Sequence, residues 1–125
     1  MVSKTPSKSC PDDEMVTTET AGNIYNSIPN DLTDEIFETI VQNNNIKIER
    51  IISNGHTSPE SGWYDQEENE WIMILKGDAI ITFEDNIEIK LNEGSYLNIP
   101  AHTRHQVNWT SQQKETIWLA VHYSD

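Results

Sequence analysis

The sequence predicts an all-β chain, an antiparallel sandwich or small barrel preceded by one short helix. From residue 46 onward, short runs rich in β-branched and aromatic residues follow one another: "IKIERII", "EWIMILKG", "AIITFE", "IEIKL", "SYLNIP", "HQVNW" and "TIWLAVHY". Turn residues separate them, which is the pattern of strands. Some seven such runs lie within about 80 residues, the density of an antiparallel sandwich or barrel. The chain of 125 residues is long enough for one hydrophobic core and too short for two, so a single site is expected.

Taken in order, residues 1–22 are rich in Ser, Thr, Lys, Asp, Glu and Pro. They have almost nothing to bury and so nothing to offset the entropy of ordering, which predicts a flexible tail. Cys10, the single cysteine, lies there as an incidental thiol. In "IPNDLTDEIFETIVQNNN", Leu32, Ile36, Phe37, Ile40 and Val41 recur at helical spacing, with Asp31 or Thr33 as N-cap and acids in the first turn. This predicts a short amphipathic helix over about 32–42, stopped by Asn43, Asn44 and Asn45. The strands then occupy about 46–123, so residues 23–125 form one domain. Between "AIITFE" and "IEIKL", the turn Glu84 to Asn86 suits a tight hairpin, because Asp and Asn tolerate positive φ. The runs "WIMIL" and "IWLAV" are apolar on both faces, whereas a half-exposed antiparallel strand alternates. Their outer faces need covers: the helix for one and a second subunit for the other, which predicts a homodimer.

Charge excludes several partners. Twenty-one acidic residues stand against 8 basic ones, a net charge of −13, with no Lys/Arg cluster. Such a surface repels nucleic acid and anionic membranes. The N-terminus lacks the basic-then-apolar plan of a signal peptide, and no apolar run approaches membrane-spanning length. A soluble cytoplasmic protein is the expectation.

Two spacings carry a family resemblance. Glu70 is followed by six residues and Gly77; Gly94 is followed by five residues, Pro100, and then His105 two residues after position 102. These resemble the second half of the first cupin motif, G(x)5HxH(x)3,4E(x)6G, and most of the second, G(x)5PxG(x)2H(x)3N. The resemblance covers roughly residues 46–123 and implies a double-stranded β-helix, the jelly-roll barrel of that family. It also implies a divalent metal held inside the barrel by three histidines and a glutamate. Here the two histidines of the first motif fall on Tyr64 and Gln66, or on Trp63 and Asp65, depending on whether three or four residues precede Glu70. His102 stands where the Gly of PxG would, and Trp109 where the Asn would.

Glu70 and His105 therefore survive as candidate ligands or as an acid and base. Gln66 offers a neutral oxygen, Asp65 a carboxylate and Tyr64 a phenol, with His102 and His122 as further imidazoles. A site of Gln66, Glu70 and His105 would resemble the oxygen and imidazole sets that hold Fe, Mn, Ni or Zn. Against it stand plainer roles, a protonated or hydrogen-bonded buried Glu70 and a core His105 on a backbone carbonyl. Trp63, Tyr64, Tyr96, Trp109 and Trp118 are candidates for the wall of a small-molecule pocket. Three functions follow: a barrel that binds a metal or a small polar ligand, with or without catalysis; a non-catalytic binding or sensing module; and a structural barrel in which Glu70 and His105 bond each other. The family hosts oxygenases, isomerases and epimerases alike, so fold does not choose a reaction.

Overall fold

The computed structural model describes residues 21–58 and 62–125. The tail expected over 1–22, with Cys10, falls outside the described residues except for Ala21 and Gly22, which are irregular and exposed. Eight strands occur among the described residues: β1 (Ile36–Gln42), β2 (Ile46–Ser53), β3 (Asn69–Lys76), β4 (Ala79–Phe83), β5 (Glu88–Leu91), β6 (Tyr96–Ile99), β7 (His105–Thr110) and β8 (Thr116–Tyr123). They form a five-stranded sheet in the order β1-β2-β8-β3-β6 and a three-stranded sheet in the order β5-β4-β7. Every pairing is antiparallel. The two sheets face each other as a jelly roll, as the strand count and the spacings led one to expect.

The expected helix over 32–42 is not formed. Its residues from Ile36 onward are β1, and no helix occurs among the described residues. The misleading signal has a physical source in the strand itself. The register shifts between Thr39 and Val41, so that Ile36, Glu38 and Val41 oppose Ile52, Arg50 and Ile48 on one face. A bulge of this kind inserts an odd residue, here Ile40, and turns alternation into a spacing that mimics a helical turn. The β-branched Ile36, Thr39, Ile40 and Val41 suit a strand, and pairing with β2 outweighs the weaker local preference.

Alternation places the core between the sheets. From the large sheet Ile51, Ile72, Ile74, Trp118 and Ala120 point inward, and from the small sheet Ala79 and Ile81 meet them, all buried. Ile52 and Ile117 lie on the opposite face, yet they are 0% and 1% exposed. The cover near them is irregular chain rather than a helix. Arg50, buried on that face, donates to the carbonyls of Ile24 (3.1 Å), Asn26 (2.6 Å) and Ser27 (3.3 Å) and to Glu38 (2.6 Å). The Tyr25 hydroxyl donates to the Leu75 carbonyl at 3.2 Å. One guanidinium thus ties residues 24–27 across the outer face. Arg50→Met is expected to destabilise by about 2–4 kcal/mol, the range for charged hydrogen bonds and a stranded partner. Urea melts give the loss, and limited proteolysis should show cleavage moving to this segment.

The turns agree with the sequence. Asn86 has φ 70° in the β4–β5 hairpin, closed by bonds from Phe83 N to Ile87 O (2.9 Å) and from Asn86 N to Phe83 O (2.8 Å). Gly77, between β3 and β4, has φ 95° and packs against Thr116.

Candidate functional site

One row across the large sheet carries the chemistry. Lys47 of β2 opposes His122 of β8, His122 opposes Glu70 of β3, and Glu70 opposes Ile99 of β6. Residues opposite in register share a face, so this row points into the barrel with Ile51 and Trp118. From the small sheet, His105 begins β7 and faces the row. A cavity of about 230 Å³ lies between the sheets, walled by Ile51, Ile72, Ile81, Ile99, Val107 and Trp118. Its polar lining is Glu35, Lys47, Glu49, Tyr64, Gln66, Glu70, His105 and His122.

The segment before β3 is held by backbone. Tyr64 N donates to His105 O at 2.8 Å and His105 N to Tyr64 O at 3.2 Å, while His102 N donates to Gln66 O at 2.8 Å. The Tyr64–His105 bridge makes these residues behave as a short strand beside β7. Side chains therefore alternate: Tyr64 and Gln66 line the cavity, and Asp65 turns outward. Asp65 lies 2.9 Å from His102 Nδ1 and 3.5 Å from Arg104 Nε, both exposed. Of the two registers for the first motif, the structure adopts the one that places Tyr64 and Gln66 inside. His102 and Asp65 form a surface pair and do not join Glu70.

Glu70 is 8% exposed and lies between two imidazoles. Its Oε1 is 3.7 Å from His105 Nε2 and its Oε2 is 3.9 Å from His122 Nε2. His105 Nδ1 donates to the Thr103 carbonyl at 2.8 Å, which leaves Nε2 as the titrating atom aimed at Glu70. Burial is the largest influence on the His105 pKa and pushes it down. The Glu70 carboxylate facing Nε2 and the Thr103 carbonyl on Nδ1 together outweigh it, so the pKa stands above its ordinary value. The Tyr64 ring packs against the imidazole with centroids 5.5 Å apart.

The polar line continues past His122. Glu49, 6% exposed, takes a contact from His122 Nε2 at 3.0 Å and from Lys47 Nζ at 3.2 Å. At the far end of the cavity, Trp118 Nε1 donates to Ser53 Oγ at 3.2 Å, and Ser53 donates to Glu35 at 2.6 Å. Glu35, Lys47 and Glu49 are absent from the sequence-based list. Glu49 alternates with Lys47 and Ile51 along β2. Ile48 and Ile52 gave the opposite face the stronger claim to the interior. Of the aromatic candidates, Tyr64 and Trp118 line the cavity. Trp109 and Tyr96 are exposed, and Tyr96 stacks on Trp71 on the outer face at 5.9 Å.

The donor set does not fit the metal that the resemblance implies. Tyr64 and Gln66 occupy two ligand positions, and His122 Nε2 is engaged by Glu49. Among the described residues, no group of three or more His, Cys, Asp or Glu is placed to hold an ion. Glu70, His105 and the neutral oxygen of Gln66 make a weaker set than the three histidines and glutamate that the resemblance implies.

Comparison with known proteins agrees with this fold. The family model described as Cupin domain matches residues 51–122. A Ralstonia eutropha protein named "putative mannose-6-phosphate isomerase" is 42% identical in a solved structure; the match covers 84% of this chain and 98% of that one, with a TM-score of 0.80. A cupin superfamily protein of Desulfitobacterium hafniense is 20% identical over 78% of this chain and 84% of its own, TM-score 0.65. The TT1209 protein of Thermus thermophilus is 14% identical over 83% and 96%, TM-score 0.69. The last two speak to fold alone. A comparison with curated proteins finds no match.

Proposed function

The chain belongs to the cupin family, and on that footing we propose that its barrel binds a small polar molecule at a metal-free acid and base pair, Glu70 and His105. Gln66 and His122 stand beside the pair as further hydrogen-bonding groups. The observation that supports this reading is the position of Glu70, a buried carboxylate 3.7 Å and 3.9 Å from two imidazoles on the polar side of a cavity whose other wall is apolar. Convergent polar groups in an apolar pocket are the usual form of a ligand site. Neither distance is a hydrogen bond, so the carboxylate keeps acceptor capacity for a guest.

The pair also has the means for proton transfer. Glu70 takes a proton from a bound molecule and His105, charged at Nε2, returns one, the exchange that a proton-transfer isomerisation uses; the Ralstonia relative is named as a putative isomerase. Binding is the primary claim, and a proton-transfer isomerisation is the reaction class it favours.

Elemental analysis of protein purified without added metal or chelator tests the metal-free reading. Metal well below one equivalent per chain is the expected result. One equivalent of Fe, Mn, Ni or Zn, lost in both Glu70→Gln and His105→Ala, would replace this reading with a metal centre on Gln66, Glu70 and His105.

We further propose that the protein is cytoplasmic and pairs as a homodimer. Among the described residues no helix is long and apolar enough to cross a membrane. The half-buried Trp71, Met73 and Leu119, with exposed Tyr96, form an apolar outer face that a second copy would cover.

A further inference from the structure

We propose that the barrel cavity takes a neutral, hydroxyl-rich molecule of sugar or polyol size and discriminates against its phosphate esters. This rests on the reading of Glu70 and His105 as ligand-facing groups and names the class of ligand they meet.

The first argument is charge. Glu35, Glu49 and Glu70 line the cavity, and Lys47 is the one Lys or Arg among its lining residues. The Lys47 ammonium is already 3.2 Å from Glu49. The two arginines are committed elsewhere, Arg50 to Glu38 on the outer face and Arg104 to Glu84 and Asp65 at the surface. A phosphoryl group entering here would meet three carboxylates, and the Lys47 ammonium and the His105 imidazolium each already face one of them, the reverse of the Arg or Lys clusters that recognise phosphate.

Hydrogen-bonding capacity gives the second argument. An ammonium guest could only donate, whereas a hydroxyl both donates and accepts. The lining mixes acceptors, the three carboxylates, with donors, the Gln66 amide, the Tyr64 phenol and the imidazoles. Such a mixture matches hydroxyl groups better than it matches a pure donor or a pure acceptor.

Shape is the third. About 230 Å³ is the share of roughly eight liquid waters, room for one small polyol. Trp118 and the isoleucines offer apolar surface to C–H groups on one side, while Glu70, Gln66 and His105 offer polar contacts on the other. A second space of about 320 Å³ shares Lys47, Gln66 and His122 with the cavity and, apart from Ile46, is otherwise lined by polar residues including Asn43, Asn44, Asn45 and Ser124. It extends the polar side outward and adds Glu68, a further carboxylate, rather than a cation.

The experiment is a titration of the full chain with mannose, glucose and mannitol, and in parallel with mannose 6-phosphate, glucose 6-phosphate and inorganic phosphate. Binding is followed by NMR at the Trp118 indole N–H and the His105 imidazole. Neutral members are expected to shift both signals, with each hexose at least tenfold tighter than its 6-phosphate. Glu49→Gln, which frees Lys47, should narrow that gap. Esters that bind as tightly as the free sugars would overturn the proposal. Should no neutral member shift the signals while the His105 pKa still depends on Glu70, the ligand class falls and the Glu70–His105 site stands. If that dependence is absent as well, the underlying reading falls too.

Discussion

Glu70→Gln is expected to lower the pKa of His105 and to remove its contribution to the pH dependence of stability. In the native protein, burial opposes the imidazolium, and the two Glu70 contributions with the Thr103 carbonyl overcome it. With a neutral amide at position 70, only the carbonyl opposes burial, so the neutral imidazole gains. The sign of the linked stability follows. A histidine whose folded pKa is raised stabilises fully below its unfolded value, and the contribution is lost as pH rises through the folded pKa. Wild-type protein should therefore lose stability as pH climbs from below the ordinary histidine range to above the raised value. Glu70→Gln should be less stable than wild type by about 1–3 kcal/mol at the acidic end, the range for a buried charged group left without its partner. At the alkaline end the two should converge. Urea midpoints across that range read both effects.

Gly77→Ala is expected to be the most destabilising single-residue change near the site. Gly77 has φ 95°, a conformation that costs an L-residue about 1–2 kcal/mol. A Cβ there would also lie 2.7 Å from the Thr116 Cα, a backbone atom that cannot swing aside. Thr116 is fully buried at the start of β8, the strand that carries Trp118 and His122 into the cavity. Overpacking of this kind adds about 1–3 kcal/mol, for a total of about 2–5 kcal/mol. Thermal or urea unfolding should show the loss, with His122 and Trp118 resonances displaced in whatever fraction still folds. A loss below about 1 kcal/mol would mean that the β3–β4 turn gives way more easily than its packing implies.

The spacing of Glu70 to Gly77 and of Gly94 through Pro100 to His105 carried both the barrel and its two central side chains. The spacing works because a glycine is needed at φ 95° in the turn after β3 and another at φ 88° before β6. Those backbone demands leave a residue-level trace. The bulge at Ile40 left a false one, since an inserted residue breaks the alternation by which a strand is recognised. Reading β1 as a helix also removed Glu35 from view, because its place in the cavity follows from the strand that succeeds it. Glu49 was hidden for a different reason. In β2 the face of Ile46, Ile48 and Ile52 is the more apolar, so the local pattern favoured it as the inward set over the face of Lys47, Glu49 and Ile51. The choice between Asp65 and Gln66 rested on a long-range pairing, Tyr64 with His105, that lies 41 residues away in sequence and has no local signature.

If Glu70 and His105 form a titrating pair without a metal, imidazole NMR of His105 across the pH range in wild type and Glu70→Gln reads it directly. Nδ1 should stay protonated throughout, with Nε2 titrating above the ordinary histidine value in wild type and moving down in the variant. A His105 that does not titrate until a chelator is added, or one whose midpoint is the same in both proteins, would contradict it.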